Sequence, residues 1–110
     1  MRIEFSSEKL RKTFNRQELL IRRYGMERAK RIRRRLDDLD AATSLEDFRY
    51  LPGRCHELTG DLEGLLSLDL DGPYRLYFRP AHEPPRKPDG GLDWSQVTAV
   101  VIERVYDPHE

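Results

Sequence analysis

The spacing of apolar residues changes once along this chain, and that change limits what it can fold into. From Glu8 to about Ala42 the apolar side chains recur at helical spacing, and after Pro52-Gly53 they recur at every second residue. A chain that is helical first and strand-forming afterwards gathers its helices on one face of a sheet, an α+β architecture. At 110 residues there is room for one domain, spanning 1–110, and not for two.

The helical part is preceded by Met1 to Phe5, which reads as a short strand with Ile3 and Phe5 on one face and Arg2 and Glu4 on the other. Ser6 and Ser7 offer N-caps. A first helix is expected from Glu8 to Tyr24, with Leu10, Phe14, Leu20, Ile21 and Tyr24 inward and Gln17 interrupting the stripe. Gly25 stops it. A second helix is expected to about Ala42 on Met26, Ala29, Ile32, Leu36 and Leu39, and the short joint makes the pair a hairpin. Thr43 or Ser44 caps a further turn, with Glu46 or Asp47 completing a capping box.

In the strand part, Leu65 to Leu70 leads into the turn signal Asp71-Gly72. The return strand puts Tyr74, Leu76 and Phe78 on one face and Arg75, Tyr77 and Arg79 on the other. Pro80 to Ser95 reads as a long exposed loop in which Trp94 is an anchor. Val97 to Tyr106 is apolar on both faces (Val97, Val101 and Val105 against Val100 and Ile102), which predicts a central strand. The expected order is β-α-α-β-β-β: an N-terminal strand and helical hairpin packed on a small, mainly antiparallel twisted sheet.

A formal net charge of zero hides a division. Residues 1–36 carry 13 Lys/Arg against 4 Asp/Glu, a net +9, and residues 37–110 carry 7 against 16, a net −9. A basic half can follow phosphates or an acidic partner, or be a solvated face. No apolar run approaches the roughly 20 residues of a membrane span. The start, MRIEFSSEKL, lacks an apolar signal core, so a cytoplasmic location without membrane contact is expected. The single Cys55 forms no intramolecular disulfide, and it reads as a small buried strand residue. With three His, one Cys and no phosphate loop, neither a metal site nor a cofactor is expected.

Specific residues sharpen this reading. Arg54-Cys55-His56-Glu57-Leu58-Thr59-Gly60-Asp61 resembles the H-x-L-K-G-D segment of HigB-type toxins in the RelE/ParE superfamily. Ser67-Leu68-Asp69-Leu70 and Asp71 to Phe78 are similar to that family's W-S-I-x-V and Y-R-I-x-F hairpin, and Val105 to His109 to its terminal D-Y-H. The likeness covers nearly the whole chain and is most specific in His56, Arg75 and His109 together. Thr59 stands where the family has Lys, Leu62 where it has a basic residue, Leu66 where it has Trp, and Pro108 where it has Tyr.

The resemblance implies a RelE/ParE-like fold and the toxin of a type II toxin–antitoxin pair. Such a toxin is a ribosome-dependent mRNA endonuclease, silenced by a cognate antitoxin expected to be of the helix-turn-helix type. The alternative is a non-catalytic binding protein on the same fold, inhibiting gyrase as ParE-type relatives do or binding only its antitoxin. RNA is cut without metal when its 2′-hydroxyl attacks the adjacent phosphate, which needs a base, an acid and a cation. His56 and His109 are the candidate proton-transfer groups, and Arg75 the phosphate-binding one. Asp107 is expected to orient a histidine or bind the ribose. Arg28, Arg31, Arg34 and Arg35 are the candidate RNA-binding residues.

Overall fold

Both ends of the chain meet in the sheet. Arg2–Phe5 forms β1, followed by α1 (Glu8–Phe14), α2 (Gln17–Tyr24), α3 (Met26–Ala41), β2 (His56–Glu57), β3 (Leu66–Asp69), β4 (Arg75–Pro80) and β5 (Ala99–Tyr106). The computed structural model describes residues 1–110. The five strands are ordered β1-β5-β4-β3-β2, with β1 parallel to β5 and every other pair antiparallel. The α+β class and the central place of the last strand are as the periodicity requires.

The expected first helix is broken in two. Ser7 caps α1, its Oγ accepting from Leu10 N–H at 3.1 Å, and the helix closes at Asn15. Arg16 is extended before α2 begins. Phe14 and Leu20 are both fully buried. Six residues apart on one straight helix they would point about 120° apart, wider than a single inward stripe, and the break lets both reach the core. Gly25 then reverses the chain at φ +84°, a conformation open to glycine. Its N–H closes α2 on Ile21 O at 2.8 Å, and its carbonyl accepts the first bond of α3 from Ala29 N–H. Ala29, Ile32, Leu36 and Leu39 are buried along α3, whereas Met26, counted into that stripe from its spacing, is 54% exposed at the hairpin turn. Ser44 caps a 3₁₀ turn at Leu45–Arg49, and the Asp47 carboxylate accepts from Thr43 N–H at 2.9 Å.

The helices cover the sheet face made by Ile3, Phe5, Leu66, Leu68, Leu76, Phe78, Val100 and Ile102. Phe5, Phe14 and Tyr24 join the layers edge to face, with ring centres 5.8 and 6.1 Å apart. A bulge in β5 corrects one expectation. Tyr77 pairs with Arg104 but Phe78 with Ile102, so Glu103 is the extra residue. Val105 therefore lies on the helix face opposite Leu76, and Val101 on the other face opposite Arg79. The same bulge turns Arg104 and Tyr106 to the open face. Residues 80–95 are more ordered than a plain exposed loop: Arg86 bridges to Leu92, and Leu92 and Trp94 are buried. No helix is long and apolar enough to cross a membrane.

One buried cation ties the layers together. Arg35, only 6% exposed, sends Nε from α3 to the backbone carbonyl of Asp69 at 2.8 Å, and Asp69 N–H donates to Gly53 O at 2.7 Å. Gly53 has φ +112°, and a Cβ there would stand 3.0 Å from both Arg35 Nε and Leu68 Cδ2. Gly53→Ala should therefore cost about 1–3 kcal/mol, read as a lower urea midpoint at unchanged slope.

Candidate functional site

Cross-strand register puts His56, Ser67, Tyr77 and Arg104 in one row on the open face, the face without helices. A second row holds Asp69, Arg75 and Tyr106. Arg75 faces the open side as its alternation predicts, but its guanidinium is occupied. Nε lies 2.9 Å from Asp69 Oδ1, and Nη1 donates to the carbonyls of Gly72 and Tyr74, each at 2.8 Å. Arg54 takes the other Asp69 oxygen at 2.6 Å. Tyr77 stacks on Tyr106 at 5.4 Å, with Arg104 over Tyr77 at 5.1 Å.

His56 and His109 do not converge. His56 is exposed on the edge strand β2, where Nδ1–H can only donate to the Arg54 carbonyl at 2.8 Å, leaving Nε2 free. His109 lies past the end of β5 and reaches Tyr74 Oη at 3.2 Å. Tyr74 alternates with Arg75 and so sits on the helix side. From His56 to Tyr74 is two strands across and about three residues along, about 14 Å between backbones. The two imidazoles make no hydrogen bond to each other and share no partner: His56 meets the Arg54 carbonyl, and His109 meets Asp107 and Tyr74.

Asp107 does orient a histidine. Its Oδ1 accepts from the His109 N–H at 2.8 Å and stands 3.2 Å from His109 Nδ1. A carboxylate can only accept, so this contact favours the Nδ1–H tautomer and leaves Nε2 as the basic nitrogen. Beside this couple lies a cleft of about 250 Å³ lined by Arg23, Tyr24, Arg28, Tyr74, Arg104 and Asp107, among others. It brings together cations and aromatic faces, ingredients from which single-stranded RNA sites are built, and the His109 imidazole reaches it through Asp107 and Tyr74, which line it. Arg23, Tyr74 and Arg104 carried no functional reading from sequence. Tyr74 gave only an inward strand position, because its neighbour in space is 46 residues upstream.

The four candidate RNA-binding arginines of α3 part ways. Arg28 makes two hydrogen bonds to Asp71, at 3.0 and 3.2 Å, and its guanidinium lies 3.2 Å from the centre of the Tyr74 ring. Arg35 is the buried cation described above, and burial lowers its pKa, with Asp38 opposing. Only Arg31 and Arg34 are exposed, and Arg34 approaches Asp38 at 3.7 Å. No three His, Cys, Asp or Glu side chains cluster to hold a metal ion. Arg35→Gln should lower stability by about 2–3 kcal/mol by leaving a buried carbonyl short of its charged donor. Arg31→Gln should stay within about 0.5 kcal/mol in the same urea titration.

Cys55 is not a nucleophile at neutral pH. Burial pushes its thiol up to about 12, against an ordinary 9.0, with Glu57 adding to the rise and Arg49 opposing it. The folded protein holds that proton more tightly than the unfolded chain. The associated stability is therefore whole below pH 9 and is lost as pH climbs towards 12. Between pH 8.5 and 10 the parent should lose up to about 1.4 kcal/mol more per pH unit than Cys55→Ala, measured by urea unfolding. Trp94 covers this region as the expected anchor, its Nε1–H donating to Glu57 at 3.1 Å and its ring lying 4.2 Å from the Arg49 guanidinium. Compared with known proteins, the chain matches no protein-family model and no curated protein.

Proposed function

We propose that this chain is the toxin of a type II toxin–antitoxin pair of the RelE/ParE kind. It cuts mRNA on the ribosome and is held silent by a cognate helix-turn-helix antitoxin. The observation that carries this reading is the His109–Asp107 couple, with Asp107 at the rim of a cleft that Arg23 also lines. His109 Nε2 takes the proton of the attacking 2′-hydroxyl or returns one to the leaving oxygen. A cleft arginine offsets the charge that builds on the phosphate between them. Arg31 and Arg34, with the unpaired Lys30 and Arg22, give a basic face for ribosomal RNA.

The separation of the two histidines favours a second reading, a toxin on the same fold that blocks its target without cutting. A transesterification needs two proton transfers, and only the His109 imidazole lies beside this cleft. Induction in growing cells followed by mapping of mRNA 5′ ends distinguishes the two. Cutting gives ends at translated codons, and His109→Ala should reduce them by about 10²–10⁴-fold, the usual worth of a general acid or base. Growth arrest with intact mRNA, persisting in His109→Ala, would sink the nuclease and leave the binding protein.

A further inference from the structure

The segment after β5 is tied to the rest of the molecule by a single side-chain contact. Within residues 107–110 the hydrogen bonds are local: His109 N–H and Nδ1 to Asp107, and Glu110 N–H to the Asp107 carbonyl. The exception is Tyr74 Oη, 3.2 Å from His109 Nδ1, with the two rings 6.1 Å apart and tilted by 46°. The Nδ1 proton is thus shared between a carboxylate of its own segment and a phenol of the sheet.

Tyr74 is itself held from α3. Arg28 covers its ring at 3.2 Å and is fixed by the Asp71 carboxylate at 3.0 and 3.2 Å. Asp71 and Tyr74 also close the β3–β4 turn, Tyr74 N–H donating to the Asp71 carbonyl at 3.0 Å. Arg28 is two-thirds or more covered at its side chain, so its cation is spent on this contact. A bidentate pair and a ring stack made at once is a task for a planar guanidinium and not for an ammonium.

We infer that Tyr74, clamped by Arg28 and Asp71, is a positioning residue that fixes the place of His109, while Asp107 selects its tautomer. Arg28 thereby acts on His109 through Tyr74 and makes no phosphate contact of its own. The consequence for RNA cutting rests on the function proposed above; the tether does not.

The test follows the His109 ring nitrogens by ¹⁵N NMR in the full chain, together with exchange of its amide proton. Tyr74→Phe keeps the ring and the Arg28 stack and removes only the hydroxyl. The His109 Nδ1 shift should move, because Nδ1 loses one of its two partners and keeps only Asp107. Its amide should exchange about three- to tenfold faster, as for the loss of one hydrogen bond. Arg28→Gln should move His109 in the same direction, and in the Tyr74→Phe background it should add nothing further. Unchanged His109 signals in Tyr74→Phe overturn the inference, as does an undiminished Arg28→Gln effect in the double variant. A parent protein that cuts no RNA refutes the nuclease, and the His109 shifts still decide the tether.

Discussion

The hydrogen bond from Arg35 to the Asp69 carbonyl is the contact on which the rest of the structure depends. It lies where three segments meet: the middle of α3, the end of β3, and the loop at Gly53. A guanidinium taken out of water is costly, and the cost shows as a lowered pKa caused first by burial and opposed by Asp38 and Asp69. Arginine remains charged under such a penalty, where a lysine would tend to lose its proton. The interaction also fixes Asp69, whose carboxylate then binds Arg54 and Arg75 on the open face. Helix, sheet edge and open-face charges are thereby set by one residue.

The opposite charges of the two halves do not cancel across the molecule. Most ion pairs are local in sequence: Arg2 with Glu4, Arg11 with Glu8, Arg16 with Glu18, Arg33 with Asp37 and Arg49 with Glu46. They are exposed and worth little individually. The Arg28–Asp71 pair alone joins the helical hairpin to the strand half. Lys9, Lys12, Arg22, Arg23, Lys30 and Arg31 are left without an ion-pair partner, so the helical layer keeps a positive surface. That positive surface lies on α1, α2 and the exposed part of α3, away from Arg28 and Arg35.

Local patterning was enough to read the class of the fold, and failed where a residue's role depends on a distant partner. The two-residue alternation of Tyr74 to Arg79 gave both faces of β4 correctly, and Asp71-Gly72 gave the turn. The break between α1 and α2 was visible as the gap at Gln17, yet its meaning lies in the burial of both Phe14 and Leu20. The reversal of Val105 was not legible, because a bulge at Glu103 depends on how β4 and β5 pair. Arg28 and Arg35 look like their neighbours Arg31 and Arg34 in sequence. What separates them is Asp71, Tyr74 and Asp69, all more than 30 residues away. The same holds for the histidines, whose distance apart is set by strand order and cannot be inferred from spacing.

The division of labour among the α3 arginines follows from the helical repeat. Arg28 and Arg35 are seven residues apart, two turns of helix, so both project from the same side towards the sheet. Arg31 and Arg34 lie between them in sequence, turned about 40–60° and 100–120° round the helix, and both are exposed. Both inward arginines meet the β3–β4 hairpin, Arg35 at its start on Asp69 and Arg28 at its turn on Asp71. The hairpin is therefore gripped at two points by one rigid helix, and the one residue between them, Leu70, is buried beneath. Tyr74 follows directly from this grip, because the turn that brings Asp71 to Arg28 also brings the phenol under the guanidinium. An arginine-rich helix here does two jobs. Its inward cations shape the end of the sheet where His109 lies, and its outward cations keep the helical layer positive at the surface.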